Sequence, residues 1–179
     1  MPPTTSSPFT SLPANPWPES SAPKLSPPRF LNHEDLGTVI RLAPLIAIDF
    51  VIRNARGEVL LGLRNNEPAK DWYFVPGGMV LKNERLAEAF TRLLKTETNY
   101  MRRIEDAQLL GAFEHFYKNN RFGNSDYGTH YVVLGYELGM PDAAEPKPDD
   151  QHSELRWWPL AELLASDQVH GHTKAYFGR

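Results

Sequence analysis

Residues 77–100 read GGMVLKNERLAEAFTRLLKTETNY. The stretch opens on Pro76-Gly77-Gly78, a turn by composition, because glycine adopts backbone conformations closed to other residues. From Glu84 to about Thr98 the apolar period becomes helical. Leu86, Phe90, Leu93 and Glu97 follow i, i+4, i+7, i+11 spacing and so share one stripe. Glu97 therefore ends an otherwise apolar face, where an unpaired carboxylate is costly. Two readings stay open from the helix alone. Either a metal ion or a buried partner holds Glu97, or the helix frays and the carboxylate reaches water.

Strand patterns flank this loop-helix. Pro44 to Arg53 (PLIAIDFVIR) is rich in β-branched and aromatic residues, Asn54-Ala55-Arg56-Gly57 is a turn, and Glu58 to Arg64 returns, which makes a hairpin. Asp71 to Val75 reads as a short strand. Gln108 to Tyr117 and His130 to Leu138 extend the sheet across a polar loop, Lys118 to Gly128. Pro141 to Gln151 is a flexible Pro/Asp/Glu loop. Glu154 to Trp158 reads as a strand, Pro159 to Ser166 as a helix, and Gly171 to Phe177 as a short helix. The order predicts an α/β (α+β) fold, a mixed sheet packed between helices.

The 179 residues fit one domain. Nine of the 16 prolines and six serines fall within residues 1–28, a stretch with too few spaced apolar residues to bury. It is predicted to be a disordered extension, with residues 29–179 as the folded domain. No basic segment followed by an apolar one marks a secretory signal, and no run approaches a membrane span, so a cytoplasmic protein without membrane partners is expected. A net charge of -3 gives no general reason to expect nucleic-acid binding. The absence of cysteine excludes disulfides, thiolate metal sites and a cysteine nucleophile.

The spacing of Gly78, Glu84 and Arg92 resembles the Nudix box, G-x5-E-x7-R-E-U-x-E-E-x-G-U. Where the box carries three further carboxylates, this chain has Leu93, Thr96 and Glu97. The segments PLIAIDFVI, YFVPGG, EHFY, THYVVLGY, DDQHSELRWW and LLASDQVHGHTKAYF are similar to the GDP-mannose mannosyl hydrolase branch of that family, from about Phe30 to Phe177. The resemblance implies hydrolysis of a GDP-sugar (GDP-mannose or GDP-glucose) at the sugar C1, with inversion, and one Mg²⁺ per site, with Mn²⁺ able to substitute. It also implies a homodimer using Phe30 to Arg41.

Residue by residue, the resemblance implies metal ligands in the Gly77 carbonyl, the Glu97 carboxylate and the Gln151 side chain. His152 matches the general base. Asp49 and His115 match positions that contact the sugar, although alone either reads as a satisfied core polar residue. Arg64 and Tyr131 match positions near the phosphates, and Arg92 supports the site. Met79 departs from the pattern, because the branch places an arginine there; Lys82 and Arg85 are the nearest cations in sequence. His130, His170 and His172 are expected to be structural. The physics agrees with a reduced box. Attack on phosphorus beside anionic oxygens needs strong charge neutralisation, whereas attack at an anomeric carbon needs a stabilised leaving group and one base for water. The alternatives are a pyrophosphohydrolase that cuts between phosphates and a non-catalytic nucleotide-sugar binder.

Overall fold

A computed structural model describes residues 26–123, 126–141, 146 and 152–178, and at His152 the backbone alone. The elements in chain order are α1 (His33–Leu42), β1 (Leu45–Arg53), β2 (Val59–Arg64), β3 (Tyr73–Phe74), β4 (Gly77–Met79), α2 (Leu86–Thr98), β5 (Gln108–Tyr117), β6 (Thr129–Gly139), β7 (His152–Trp158), α3 (Leu160–Ala165) and α4 (Gly171–Ala175). A single 3-10 turn, Ile104–Asp106, joins α2 to β5.

The seven strands form one mixed sheet in the order β3-β2-β1-β6-β5, with β4 also paired to β1 and β7 to β2. β1 and β6 run parallel from Leu45↔Tyr131 to Arg53↔Gly139. The expected β1–β2 hairpin forms, but the two strands pair only at Arg53↔Val59. Beyond that point β2 departs to pair with β7, and β4 takes its place beside residues 47–49 of β1. The sheet thus splits into two arms, and the split opens a cleft.

Alternation along β1 explains the layers. Ile48, Phe50 and Ile52 pack with Ala89, Phe90, Leu93 and Leu94 of α2. Val51 points to the opposite face, where Leu61, Trp158, Leu163 of α3 and Tyr176 form a second cluster. Phe90 is fully buried between Phe50 and Tyr136, in edge-on contacts at 5.0 and 5.3 Å. The helix does not fray at Glu97. Asn99 closes it in the left-handed region (φ 56°), with its N–H bonded to the Lys95 carbonyl.

Two sequence expectations are corrected. Gly77 and Gly78 belong to strand β4 rather than a turn, and neither has a positive φ. Residues 33–42, assigned no secondary structure from the sequence, form α1, capped by Asn32, whose side chain accepts from the Asp35 N–H at 2.8 Å. Leu36 and Ile40 of α1 cluster with Leu45, and Met79, Phe122, Tyr127 and Tyr131 pack against them. Most of the N-terminal stretch lies outside the described residues. Ser26, where description begins, accepts a hydrogen bond from the Asn83 side chain at 3.1 Å. No described helix is long and apolar enough to cross a membrane.

Truncating Phe90 removes the ring that joins α2 to the sheet. Phe90→Ala is expected to lower unfolding free energy by about 3–5 kcal/mol, measured by denaturant titration with an unchanged m-value.

Candidate active site

The site is built around a close approach of β1 and β4. Phe50 N–H donates to the Pro76 carbonyl and Val80 N–H to the Ile46 carbonyl, both at 2.9 Å. Bonded pairs alternate with non-bonded ones in an antiparallel ladder, so Asp49↔Gly77 is a non-bonded pair and the Gly77 carbonyl is turned away from β1. A Cβ on Gly77 would lie 2.3 Å from Asp49 Oδ1 and 2.5 Å from the Ile48 carbonyl oxygen. A Cβ on Gly78 would lie 2.7 Å from Leu93 Cδ2 and 4.0 Å from Glu97 Oε1. Gly77 is therefore required by space, not by backbone conformation, whereas a Cβ on Gly78 would have to displace the tip of the Leu93 side chain.

A cavity of about 410 Å³ opens here. It is bordered by Asp49, Arg64, Gly77, Arg92, Glu97, His115 and Tyr131, which are seven of the nine residues singled out from the sequence. Gln151 lies outside the described residues. His152 is placed by its backbone, in register with Arg64 where β7 meets β2. β7 is also tied to β3 by the Tyr73 hydroxyl, which donates to Glu154.

Each wall has its own chemistry. Glu97 is only 1 % exposed yet borders the cavity beside the space left by Gly78. Glu84 faces Arg92, which grips its carboxylate with two nitrogens at 2.5 and 2.7 Å and donates to the Met79 carbonyl at 2.9 Å. The Leu81 N–H also donates to Glu84. Arg92 thus ties the loop to the helix, and Glu88 caps that helix by accepting from the Arg85 N–H. Arg64 donates from Nε to the Pro68 carbonyl at 3.1 Å and lies over the Phe74 ring.

Asp49 accepts from the Tyr176 hydroxyl at 2.7 Å. Burial pushes its carboxyl up to about 7, against the opposing effects of Tyr176 and the Arg64 charge. His115 is 3 % exposed and stacks on His172 with centroids 4.3 Å apart. Burial, reinforced by His172 and His170, holds His115 down to about 3. Burial likewise lowers His170 to about 4, helped by His172 and Arg64. Tyr131 sits opposite His115 in the β5–β6 register, and burial raises its phenol, so it remains a hydrogen-bond donor.

Several contributors were not identified from the sequence. Tyr176 contacts Asp49, His172 stacks on His115, and His170 packs against His172. Their segment, DQVHGHTKAYF, was read as part of a resemblance and, over Gly171 to Phe177, as a short helix, and the two histidines were expected to be structural. Tyr117 shares the His115 face of β5, two residues on, a signal that alternation alone provides. Arg121 borders the cavity from a loop with no periodic signal.

A mixed sheet with a loop-helix crossing its split edge is the architecture of Nudix proteins, and the comparisons agree. Residues 43–177 match the NUDIX domain family, and the chain belongs to it. It is 41 % identical over 118 residues to the low-salt glycan biosynthesis protein Agl8 of Haloferax volcanii, covering 66 % of this chain and 72 % of that one. It is 28 % identical over 122 residues to an ADP-ribose pyrophosphatase of Methanocaldococcus jannaschii, covering 68 % and 66 % respectively. Among solved structures, a MutT protein from Methanosarcina mazei superposes with a TM-score of 0.62 at 23 % identity, over 75 % of this chain and 91 % of that one, a likeness of fold.

The histidine cluster carries a linkage consequence. His170 is held below its ordinary value of 6.5, so between about 4 and 6.5 the unfolded chain binds more protons than the native one. The stability it contributes is complete above 6.5 and is lost as pH falls toward 4. His170→Asn keeps an acceptor for the His172 N–H that the His170 ring now caps. It is expected to lessen the fall of unfolding free energy between pH 6.5 and 4, with the remainder left to His115 and His172, followed by denaturant titration across pH.

Proposed function

We propose that the protein is a Mg²⁺-dependent hydrolase of a GDP-sugar, GDP-mannose or GDP-glucose, acting at the sugar C1 to give GDP and an inverted hexose. The observation that carries this reading is the makeup of the helix wall. Glu97 faces the cavity, whereas Leu93 and Thr96 occupy two other box positions and Glu84 is committed to Arg92. Among the described residues, no three histidine or acidic side chains converge as a metal cluster. Such a wall suits help to a departing diphosphate better than attack on phosphorus. The similarity to a protein named for glycan biosynthesis favours a sugar-bearing substrate.

The donors present fit a hard divalent ion. The outward Gly77 carbonyl and the Glu97 carboxyl group are oxygen ligands bordering one cavity, with the space over Gly78 kept clear of a side chain. With Gln151 they would hold Mg²⁺, or Mn²⁺, which when bound neutralises charge on the diphosphate. Arg64 and the Tyr131 hydroxyl bind the diphosphate oxygens. Asp49 and His115 hold the sugar hydroxyls, with His115 kept neutral and Asp49 oriented by Tyr176. His152 accepts a proton from water, whose oxygen forms the new bond to C1 as the C1–O bond breaks. The bonding pair leaves with the diphosphate. Attack opposite the leaving group inverts the centre. The catalytic roles are those of His152, Arg64 and Tyr131, and a homodimer is the expected assembly.

Turnover of an α-linked GDP-hexose in ¹⁸O water is expected to give GDP and labelled β-hexose first, read by mass spectrometry and NMR. GMP and hexose 1-phosphate, with label on a phosphate, would replace this reading with the pyrophosphohydrolase. Nucleotide-sugar binding without turnover would make it a binding protein.

The base has its own test. His152→Gln is expected to cost on the order of 10²–10⁴-fold in kcat. It should also abolish the loss of rate as pH falls through the ordinary imidazole range of about 6.5, because protonated imidazole accepts no proton. An unchanged acid limb assigns that ionisation to another group.

A further inference from the structure

We propose that Arg121 is a diphosphate-binding residue, which completes an anion site with Arg64 and Tyr131. This rests on the nucleotide-sugar reading only for the identity of the anion.

The starting point is the distribution of positive charge around the cavity. Three guanidinium groups border it, from Arg64, Arg92 and Arg121. Arg92 is committed to Glu84 through two nitrogens and to the Met79 carbonyl. Arg64 uses its Nε on the Pro68 carbonyl. Among the described residues no carboxylate pairs with Arg121. Lys82 and Arg85, the cations nearest Met79 in sequence, do not border this cavity.

The loop bearing Arg121 is fixed on both sides of it. Asn120 is fully buried; its side-chain amide donates to the Tyr127 carbonyl, and its amide oxygen accepts from the Phe122 N–H, both at 3.0 Å. Asn119 donates to Glu67 across the cavity rim at 2.8 Å. The Phe122 ring packs on His33 of α1 with centroids 3.9 Å apart. Arg121 therefore projects an exposed side chain from an anchored backbone, which limits the ordering cost of binding.

Met79 explains why the charge stands there. Its side chain packs in the apolar cluster beneath α1, alongside Phe122 and Tyr131. Met79 and Arg121 both border the cavity and also a neighbouring groove under α1, so they share one wall. The cluster that takes Met79 is the one that draws Phe122 inward and so sets Arg121 at the rim. Arg64, Arg121 and the half-buried Tyr131 border one cavity. Two guanidinium groups and one hydroxyl donor on the walls of one cavity form a site for an anion with several oxygens and more than one negative charge. A diphosphate meets that description.

The test is titration calorimetry of the full chain with GDP, ADP and guanosine in the presence of Mg²⁺. Arg121→Gln is expected to weaken GDP and ADP alike by roughly tenfold or more, with guanosine binding and thermal unfolding unchanged. Arg121→Lys should recover part of the loss. Unchanged GDP and ADP affinity in a natively folded Arg121→Gln overturns the proposal. So does an equal loss for guanosine, which marks a general disturbance of the site. Arg121-dependent diphosphate binding without hydrolysis of any GDP-sugar upholds the proposal and removes the catalytic reading. Failure of the unmodified chain to bind either diphosphate overturns both.

Discussion

The cleft depends on the contact between β1 and β4 at Asp49 and Gly77. The two residues face each other as a non-bonded pair, where side chains come closest. Only a residue without a side chain leaves Asp49 room, because a Cβ would fall within 2.3 Å of its carboxylate. This close packing lets β4 replace β2 beside β1, which splits the sheet. It also turns the Gly77 carbonyl outward and brings the start of the loop over the Glu97 end of α2. The Glu84–Arg92 pair then fixes the far side of the same loop. Two small constraints, one of space and one of charge, set the walls on which every other group is mounted.

Charge inside the cleft follows from burial. Arg92 and Glu84 neutralise each other, and that partly buried pair serves geometry more than net stability. His115, His170 and His172 have lowered pKa values because their charged forms are poorly solvated. Asp49 is driven toward its neutral form by the same cause. Neutral donors and acceptors of this kind suit hydroxyl groups. The guanidinium groups of Arg64 and Arg121 border the same cavity. The cavity thus combines neutral hydrogen-bonding groups with guanidinium groups.

How much of this was legible in the sequence depended on how local the physics is. β1, β2, β5, β6 and α2 were read with bounds near those observed, because alternation and helical period are properties of short windows. The fold class followed from their order. The β4 pairing was not legible, since a glycine pair signals a turn locally and only the approach of Asp49 to Gly77 turns it into a spatial requirement. α1 was missed although Leu36 and Ile40 are spaced as on a helix, because its partners Phe122 and Tyr131 lie far along the chain. The motif-matched residues Asp49, Arg64, Gly77, Arg92, Glu97, His115 and Tyr131 do meet at one cavity. Tyr176 was not legible because its partner Asp49 is 127 residues away.

The missed residues share one feature. Tyr176, His170 and His172 each contact another side chain, and Arg121 acts from a loop whose order comes from the fully buried Asn120. No period or spacing reports such roles, because each depends on contacts closed only by the folded chain. They also explain how a reduced box remains compatible with a well-ordered pocket. When a helix gives up carboxylates at Leu93 and Thr96, it loses sites for charge but gains little in precision. Precision here comes from the opposite side, where Tyr176 fixes Asp49, His172 stacks on His115, and the α1 cluster sets the loop of Arg121. Where the motif helix is simplified, the order of the pocket comes from elements that the motif does not include.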